Sequence, residues 1–353
     1  MAAGFYRLGF PARAARAAGA DVRLVMPADR TGIGGEVDSR TGKLVNLSYP
    51  PDADVIVLQR VAMGTLAQAI PQMRARGVAV VIDMDDDLTK IDPNNPAFWG
   101  FHAKTGSPLH NSRNAMQACL DATLVTVSSP ALLRTYAPHG RGLVLENRVP
   151  AAYLDVKRPP AAGVASVGWG GSIHSHPTDL AELGPAVQRL VRDGIEYWGA
   201  GPDYHLRPGD DGLRRALGVE DALADQVATT GDLAFEEWPI GVATLGVGLA
   251  PLADTGFNAA KSWLKPLEYM ALGVPWIGSP RAEYRRLQQL TKVGLLAKGP
   301  GDWYRQAKAL ALSPHAREEQ AERGRAAVRD HQLTYEASIW HWIHAWEQAA
   351  AAR

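Results

Sequence analysis

A chain of 353 residues is long for one hydrophobic core and suits two domains of ordinary size. Its 46% hydrophobic and 21% charged residues are those of a globular protein, neither disordered nor fibrous. Lys plus Arg equals Asp plus Glu at 37 each, so no net field draws the protein to nucleic acid or an anionic membrane, and the single cysteine excludes an intrachain disulfide framework and a four-cysteine zinc site. That cysteine, Cys119, lies in Ala115-Met116-Gln117-Ala118-Cys119-Leu120, which reads as an inert buried helix face with no basic residue near to activate it. Met1 to Gly19 carries three arginines and no unbroken apolar run, unlike a signal peptide. Gly241 to Leu252 is too short and glycine-rich to span a bilayer, so the expectation is a cytoplasmic protein without membrane insertion.

Taken in order, short β-branched runs alternate with helical segments, the pattern of parallel βαβ units. Gly4-Phe5-Tyr6-Arg7 reads as a loop where a first strand would have just ended, so that strand is short or missing. A helix over Pro11 to Ala18 follows, ended by Gly19. Strands are expected at Asp21–Met26, Asp54–Leu58, Val78–Ile82, Thr123–Val127 and Gly142–Leu145, with a helix over Thr65 to Arg76. Ser128-Ser129-Pro130 is a helix start with Pro in the first turn. Val149 to Gly163 holds three prolines and reads as a linker. Beyond it strands are expected at Ala165–Trp169, Ile195–Gly199, Val227–Thr229, Val247–Leu252 and Val274–Ile277, with helices over Pro177–Arg192, Asp211–Leu217 and Leu264–Leu272. Tyr335, Ile339, Trp342 and Trp346 form one apolar stripe on a C-terminal helix over Tyr335–Ala350. The expected organisation is a first Rossmann-like domain over 1–150, a linker over 151–163, a second domain over 164–330 and a C-terminal helix over 331–353.

The chemistry concentrates in Gly256 to Pro275, which follows the strand Val247–Leu252 and enters a helix, at the carboxyl end of a parallel sheet where open α/β sheets bind ligands. Lys261 and Lys265 stand at the start of that helix, where the macrodipole is already positive. Two cations there suit a bound diphosphate, or else are solvated lysines on a surface loop. The glycines of Val167-Gly168-Trp169-Gly170-Gly171-Ser172, the turn after the second domain's first strand, let backbone approach a ligand closely.

Together these stretches resemble retaining glycosyltransferases of the GT-B fold, specifically family 4 and its close relatives. The resemblance is strongest over K-P-L-E-Y-M-A-L-G-V-P, similar to that group's donor-site helix. It is supported by V-G-W-G-G-S, V-T-V-S-S-P-A-L-L and V-L-E-N-R-V-P in matching order. It implies an α/β chain with two doubly wound domains facing across a cleft, the donor domain second, and a C-terminal helix crossing back to the first. It also implies that Glu268 holds the donor ribose, that Lys265 with Lys261 neutralises the leaving diphosphate, that Gly170, Gly171 and Ser172 sit close to that group, and that Asn258 lies near the sugar. Ala260 stands where the family usually carries a sugar-contacting Glu, seven intervening residues before Glu268.

Asp83, Asp85, Asp86 and Asp87 follow a strand, as the divalent-metal motif of the other glycosyltransferase fold, GT-A, does. The GT-B resemblance favours a metal-free reading in which Asp85 or Asp86 binds acceptor hydroxyls or braces the sugar, while Asp87 caps the next turn. Arg60, after Gln59, reaches the diphosphate or an acidic acceptor, or forms a surface ion pair. His174 and His176 are candidate donor contacts, and Tyr6 with Arg7 candidate acceptor contacts. The expectation is a hexosyltransferase-like enzyme that moves a sugar from a nucleoside-diphosphate sugar, its co-substrate, to an acceptor, with no resident cofactor or metal. Protein, glycan, small molecule and modified DNA base stay open as acceptors, and the oligomeric state is open too. The alternatives are a catalytically silent nucleotide-sugar-binding partner of another transferase, or a metal-dependent enzyme using Asp83–Asp87.

Overall fold

The computed structural model describes residues 4–25, 32–101, 110–160, 162–173, 176, 178–201 and 212–353. The chain forms two compact units. The first comprises Met1–Pro93, Ala97–Asn147 and Tyr335–Arg353; the second comprises Asn94–Pro96 and Arg148–Thr334. Among the described residues no helix is long and apolar enough to cross a membrane.

The first unit carries an antiparallel hairpin, β1 (Gly34–Val37) with β2 (Leu44–Ser48), and a four-stranded parallel sheet. The sheet strands, β3 (Val55–Gln59), β4 (Ala79–Met84), β5 (Leu124–Val127) and β6 (Gly142–Val144), lie side by side in sequence order. Every residue of β4 and β5 is buried, which explains their nearly continuous apolar runs: a parallel strand covered on both faces has no polar side. Cys119 lies in the core of the helix Asn111–Asp121, and burial pushes its thiol up to about 12, as an inert core cysteine requires. At the helix Pro130–Tyr136, Ser129 accepts a hydrogen bond from the Leu132 amide.

Three local expectations are corrected here. Residues 4–7 are helical: Phe5–Gly9 form a π-turn that runs straight into the α-helix Phe10–Ala17. Burial of Tyr6 and Arg7 selects this conformation over a loop. Of the strand expected over Asp21–Met26, Met26 lies outside the described residues, and Asp21–Val25 has no regular structure: among the described residues no strand pairs with it. The C-terminal stripe breaks after Ser338 into Tyr335–Ser338 and Trp340–Ala351. Tyr335, Ile339 and Trp342 are buried as the spacing requires, and Trp340–Ala351 packs on Phe10–Ala17, β3 and β4.

The second unit holds a six-stranded parallel sheet from β7 (Val167–Gly168), β8 (Tyr197–Gly199), β9 (Val227–Thr229), β10 (Val247–Ala250), β11 (Trp276–Gly278) and β12 (Leu295–Leu296). Its order, β12-β11-β10-β7-β8-β9, is the 3-2-1-4-5-6 arrangement when β7 counts as first. Helices Ala186–Arg192 and Pro300–Leu312 supply Val187, Leu190, Trp303 and Ala307 to its core. The helix expected over Pro177–Arg192 is two pieces, a 3-10 turn Asp179–Leu183 and an α-helix from Ala186. Gly184 between them has φ +52, and a Cβ there would sit 2.8 Å from Pro300 Cγ, so glycine breaks the helix where Pro300 packs. The expected linker segment is not a loose tether. Tyr153 is buried, and Arg158 donates to the carbonyls of Ala243, Leu245 and Gly273.

Candidate functional site

In a 3-2-1-4-5-6 sheet the crevice lies where strand order reverses, here at the carboxyl ends of β7 and β10. The loop leaving β7 is Trp169–Ser172, and the segment leaving β10 leads into the helix Leu264–Ala271. The topology thus brings the glycine-rich turn and the lysine-bearing helix to one place.

Gly168 is glycine for packing: a Cβ would meet the Trp198 carbonyl oxygen at 1.8 Å. Gly170 differs, because its added Cβ would make only ordinary contacts of 3.5 Å with Trp238 and Val242. Packing against a Cβ therefore does not by itself require glycine there.

Two side chains one helical turn apart hold Gly170 from both ends. Lys265 Nζ donates to its carbonyl oxygen, and its amide donates to Tyr269 Oη at 3.0 Å. The Tyr269 hydroxyl in turn donates to the Leu249 carbonyl on β10 at 3.1 Å. Lys265 Nζ also lies 4.7 Å from the Trp169 ring centroid. Desolvation pulls the Lys265 ammonium down to about 8; the nearby charge of Lys261 acts in the same direction, while Glu268 and Asp179 oppose it.

Lys261 is not on this helix. It follows the 3-10 turn Asn258–Ala260 and sets its ammonium 4.4 Å from the Phe257 ring centroid. Glu268 is buried and accepts from Trp238 Nε1 at 2.9 Å. Ala260 is buried at 3% exposure, and Ser172 is half-buried. His174 lies outside the described residues.

Asp179 is the hub that sequence reading missed. One carboxylate oxygen accepts from the Ala253 amide at 2.9 Å and from Asn258 Nδ2 at 2.6 Å, and the other pairs with His176 Nδ1 at 2.8 Å. Asn258 Nδ2 also donates to the Ala253 carbonyl at 3.0 Å, so the amide hydrogens of Asn258 brace the loop after β10. Burial would raise the Asp179 carboxyl, but the hydrogen bonds from His176, Ala253 and Asn258 win and hold it below the usual carboxylate range. His176 is lowered, by burial first and then by the charges of Lys261 and Lys265, against the pull of Asp179. The crevice therefore gathers two lysines and an imidazole together with the carboxylates of Asp179 and Glu268.

In the first unit the carboxylates after β4 take separate partners. Arg7 makes a buried two-point contact with Asp83, at 2.9 and 2.7 Å, and donates to the Leu145 carbonyl and Asn147. Thr126 Oγ1 donates to Asp83 at 2.7 Å. Arg60 pairs with both oxygens of Asp85 and with Asp86. Burial alone would lower the Arg60 guanidinium, but those carboxylates raise it above its ordinary value. Asp87 accepts from the amide and hydroxyl of Thr89, as a turn cap does. Among the described residues no three His, Cys, Asp or Glu side chains are placed to share a metal ion. Tyr6 requires correction as an acceptor contact: it is 3% exposed, packed edge-on to Phe10. Its partner Arg7 is equally buried and holds the sheet end together.

Besides Asp179, sequence reading missed Tyr269 and Trp238. Tyr269 carried a signal, since it lies four residues after Lys265 on one helix face. Trp238 carried none, because only folding brings it to Glu268.

No family model and no curated protein matches the chain. Solved structures do. Sucrose-phosphate synthase from Thermosynechococcus elongatus superposes with a TM-score of 0.60 at 15% identity, over 85% of this chain and 74% of that one. HepE from Anabaena, in complex with UDP, gives 0.56 at 16% identity, over 82% and 77%. The catalytic domain of starch synthase IV from Arabidopsis thaliana, bound to ADP and acarbose, gives 0.53 at 10% identity, over 84% and 73%. At such identities the likeness concerns the fold, and it agrees with the parallel sheets and strand order described above. The chain has the GT-B glycosyltransferase fold, built from two Rossmann-like domains.

Proposed function

We propose that the protein is a glycosyltransferase that moves a sugar from a nucleoside-diphosphate sugar to an acceptor hydroxyl-bearing molecule, with retention, as a relative of family 4. The observation that carries the reading is the half-buried Lys265 ammonium at the strand-order reversal, beside Gly170 and one turn before Glu268. Breaking the bond between sugar and diphosphate leaves charge on phosphate, and a preorganised cation in a water-poor crevice stabilises it. Lys265 supplies that cation with Lys261 nearby, the Gly170–Ser172 turn lies against the diphosphate, and Glu268 takes the ribose. The donor is a co-substrate, and the reaction needs no resident cofactor or metal. The neighbours with UDP and with ADP in their structures support a nucleotide in the same fold.

Calorimetric titration with UDP, ADP, GDP and their sugar conjugates, with and without EDTA, tests this. Micromolar binding that survives EDTA and is lost in Lys265→Ala is expected. Absence of binding by every member, or binding that needs a divalent ion at Asp83–Asp87, overturns it. A second reading rests on Ala260, whose buried methyl occupies the place of the family's sugar-contacting Glu. It makes the protein a nucleotide-sugar binder without turnover, and tight binding with no donor hydrolysis or transfer would select it.

A further inference from the structure

His176 precedes the 3-10 turn Asp179–Leu183 and pairs with Asp179 through Nδ1 and Oδ2 at 2.8 Å. The other Asp179 oxygen accepts from the Ala253 amide and from Asn258 Nδ2, so the loop after β10 fixes the carboxylate. An ionised carboxylate only accepts hydrogen bonds, and Nδ1 therefore carries the proton of the pair. The imidazole also lies edge-on to Trp169, centroids 5.9 Å apart, against the same indole that Lys265 Nζ approaches to 4.7 Å. Its side chain is 19% exposed, and among the described residues Nε2 has no hydrogen-bond partner. Around it the ammonium groups of Lys261 and Lys265 are matched in number by the carboxylates of Asp179 and Glu268. A diphosphate entering the crevice adds negative charge that these four do not offset, and His176 is the group beside them able to gain a positive one.

We propose that His176 is a diphosphate-binding residue, oriented by Asp179 so that Nε2 meets a phosphate oxygen, which it does only as an imidazolium. The inference rests on the reading of this crevice as the diphosphate site. With Nδ1–H committed to Asp179, a neutral ring presents a bare lone pair at Nε2, and a phosphate oxygen presents another. One proton taken from solvent turns that repulsion into a charge-assisted N–H···O bond, and Asp179 stabilises the cation that results. Burial first, and then Lys261 and Lys265, hold the unliganded imidazole below its ordinary 6.5, against the hydrogen bond and charge of Asp179. A bound diphosphate favours the charged form and raises it. Between those two values binding takes up a proton and affinity falls as pH rises; below both, affinity is flat with respect to this group. This window lies below the one set by Lys265, whose ammonium sits at about 8.

Calorimetric titration of the full chain with UDP, ADP, GDP and their sugar conjugates tests this at about pH 6.5, the ordinary imidazole value, in two non-phosphate buffers of different ionisation enthalpy. Wild type is expected to take up a proton with the nucleoside diphosphate alone, and His176→Gln to lose that uptake. His176→Leu is expected to bind about 10- to 100-fold more weakly, the worth of a hydrogen bond between charged groups. A spectrum of wild type labelled with 13C-histidine gives a readout that needs no variant: one imidazole should titrate at higher pH with nucleotide than without. Binding by wild type without proton uptake, uptake that persists in His176→Gln, or no imidazole that shifts overturns the inference and leaves the donor reading intact. Weakening in His176→Leu confined to the sugar conjugates also overturns it, since Nε2 then accepts from a sugar hydroxyl. A wild type that binds none of these nucleotides removes the donor reading and this inference with it.

Discussion

Lys265 and Tyr269, one turn apart on the helix Leu264–Ala271, hold the carbonyl and the amide of the same residue, Gly170. The helix that carries the charge thereby fixes the glycine-rich turn after β7 through one peptide. Lys265→Ala should reduce transfer on the order of 10²–10³-fold, since it removes a preorganised cation at the developing phosphate charge. Steady-state kinetics with the donor found by titration checks this. Tyr269→Phe should spare the cation and instead cost about 1–3 kcal/mol of stability, because the Gly170 amide and the Leu249 carbonyl lose their partner. Urea denaturation monitored by circular dichroism measures it.

Nucleotide binding should be linked to protonation of Lys265. Its ammonium sits at about 8 in the unliganded fold, against an ordinary 10.5. A bound diphosphate favours the charged form and raises it. Between those values binding takes up a proton and affinity falls as pH rises. Below about pH 7 the lysine is charged in both states and affinity is flat with respect to this group. Calorimetry at pH 8.5–9 in two buffers of different ionisation enthalpy should show the uptake, and Lys265→Met should abolish it.

Asp179→Ala should destabilise the second unit by about 2–4 kcal/mol, since the Ala253 amide and the Asn258 side chain lose a charged acceptor. The folded-state carboxyl is depressed below the ordinary 3.8, so its stabilisation is complete above that value and disappears as pH falls through the folded one. Acid unfolding of Asp179→Asn, followed below pH 4, should be less steep than that of wild type.

Arg7 and Asp83 form a buried ion pair at the carboxyl end of the first unit's sheet, with side chains 0% and 3% exposed. Arg7→Met should cost about 3–5 kcal/mol because it leaves Asp83 charged and buried. Arg7→Met with Asp83→Leu should recover part of that loss. Chemical denaturation of wild type, Arg7→Met, Asp83→Leu and the double variant, treated as a double-mutant cycle, gives the coupling.

Much of the fold was legible in the sequence because parallel strands buried on both faces must be apolar throughout. Val80-Val81-Ile82 and Leu124-Val125 therefore announce themselves, and Val227–Thr229 was read to the residue. Asp21–Val25 misled for the converse reason: an apolar alternation marks a strand only when a neighbour exists to pair with it. The sequence reading ran one helix over Pro177–Arg192 through Gly184, whereas the break there goes with Pro300, from a distant segment, lying where a Cβ would be.

By itself, the sequence determined the βαβ alternation, the inert Cys119 and the Lys265-Glu268 helix, because composition, periodicity and spacing along one element are local properties. The tertiary structure alone decided which groups meet. The strand order puts Gly170 beside Lys265, Asp179 gathers His176, Ala253 and Asn258 from separate segments, and Trp238 reaches Glu268 across 30 residues. Those contacts depend on how the chain crosses over between strands, and a crossover leaves no periodic mark on the residues it brings together.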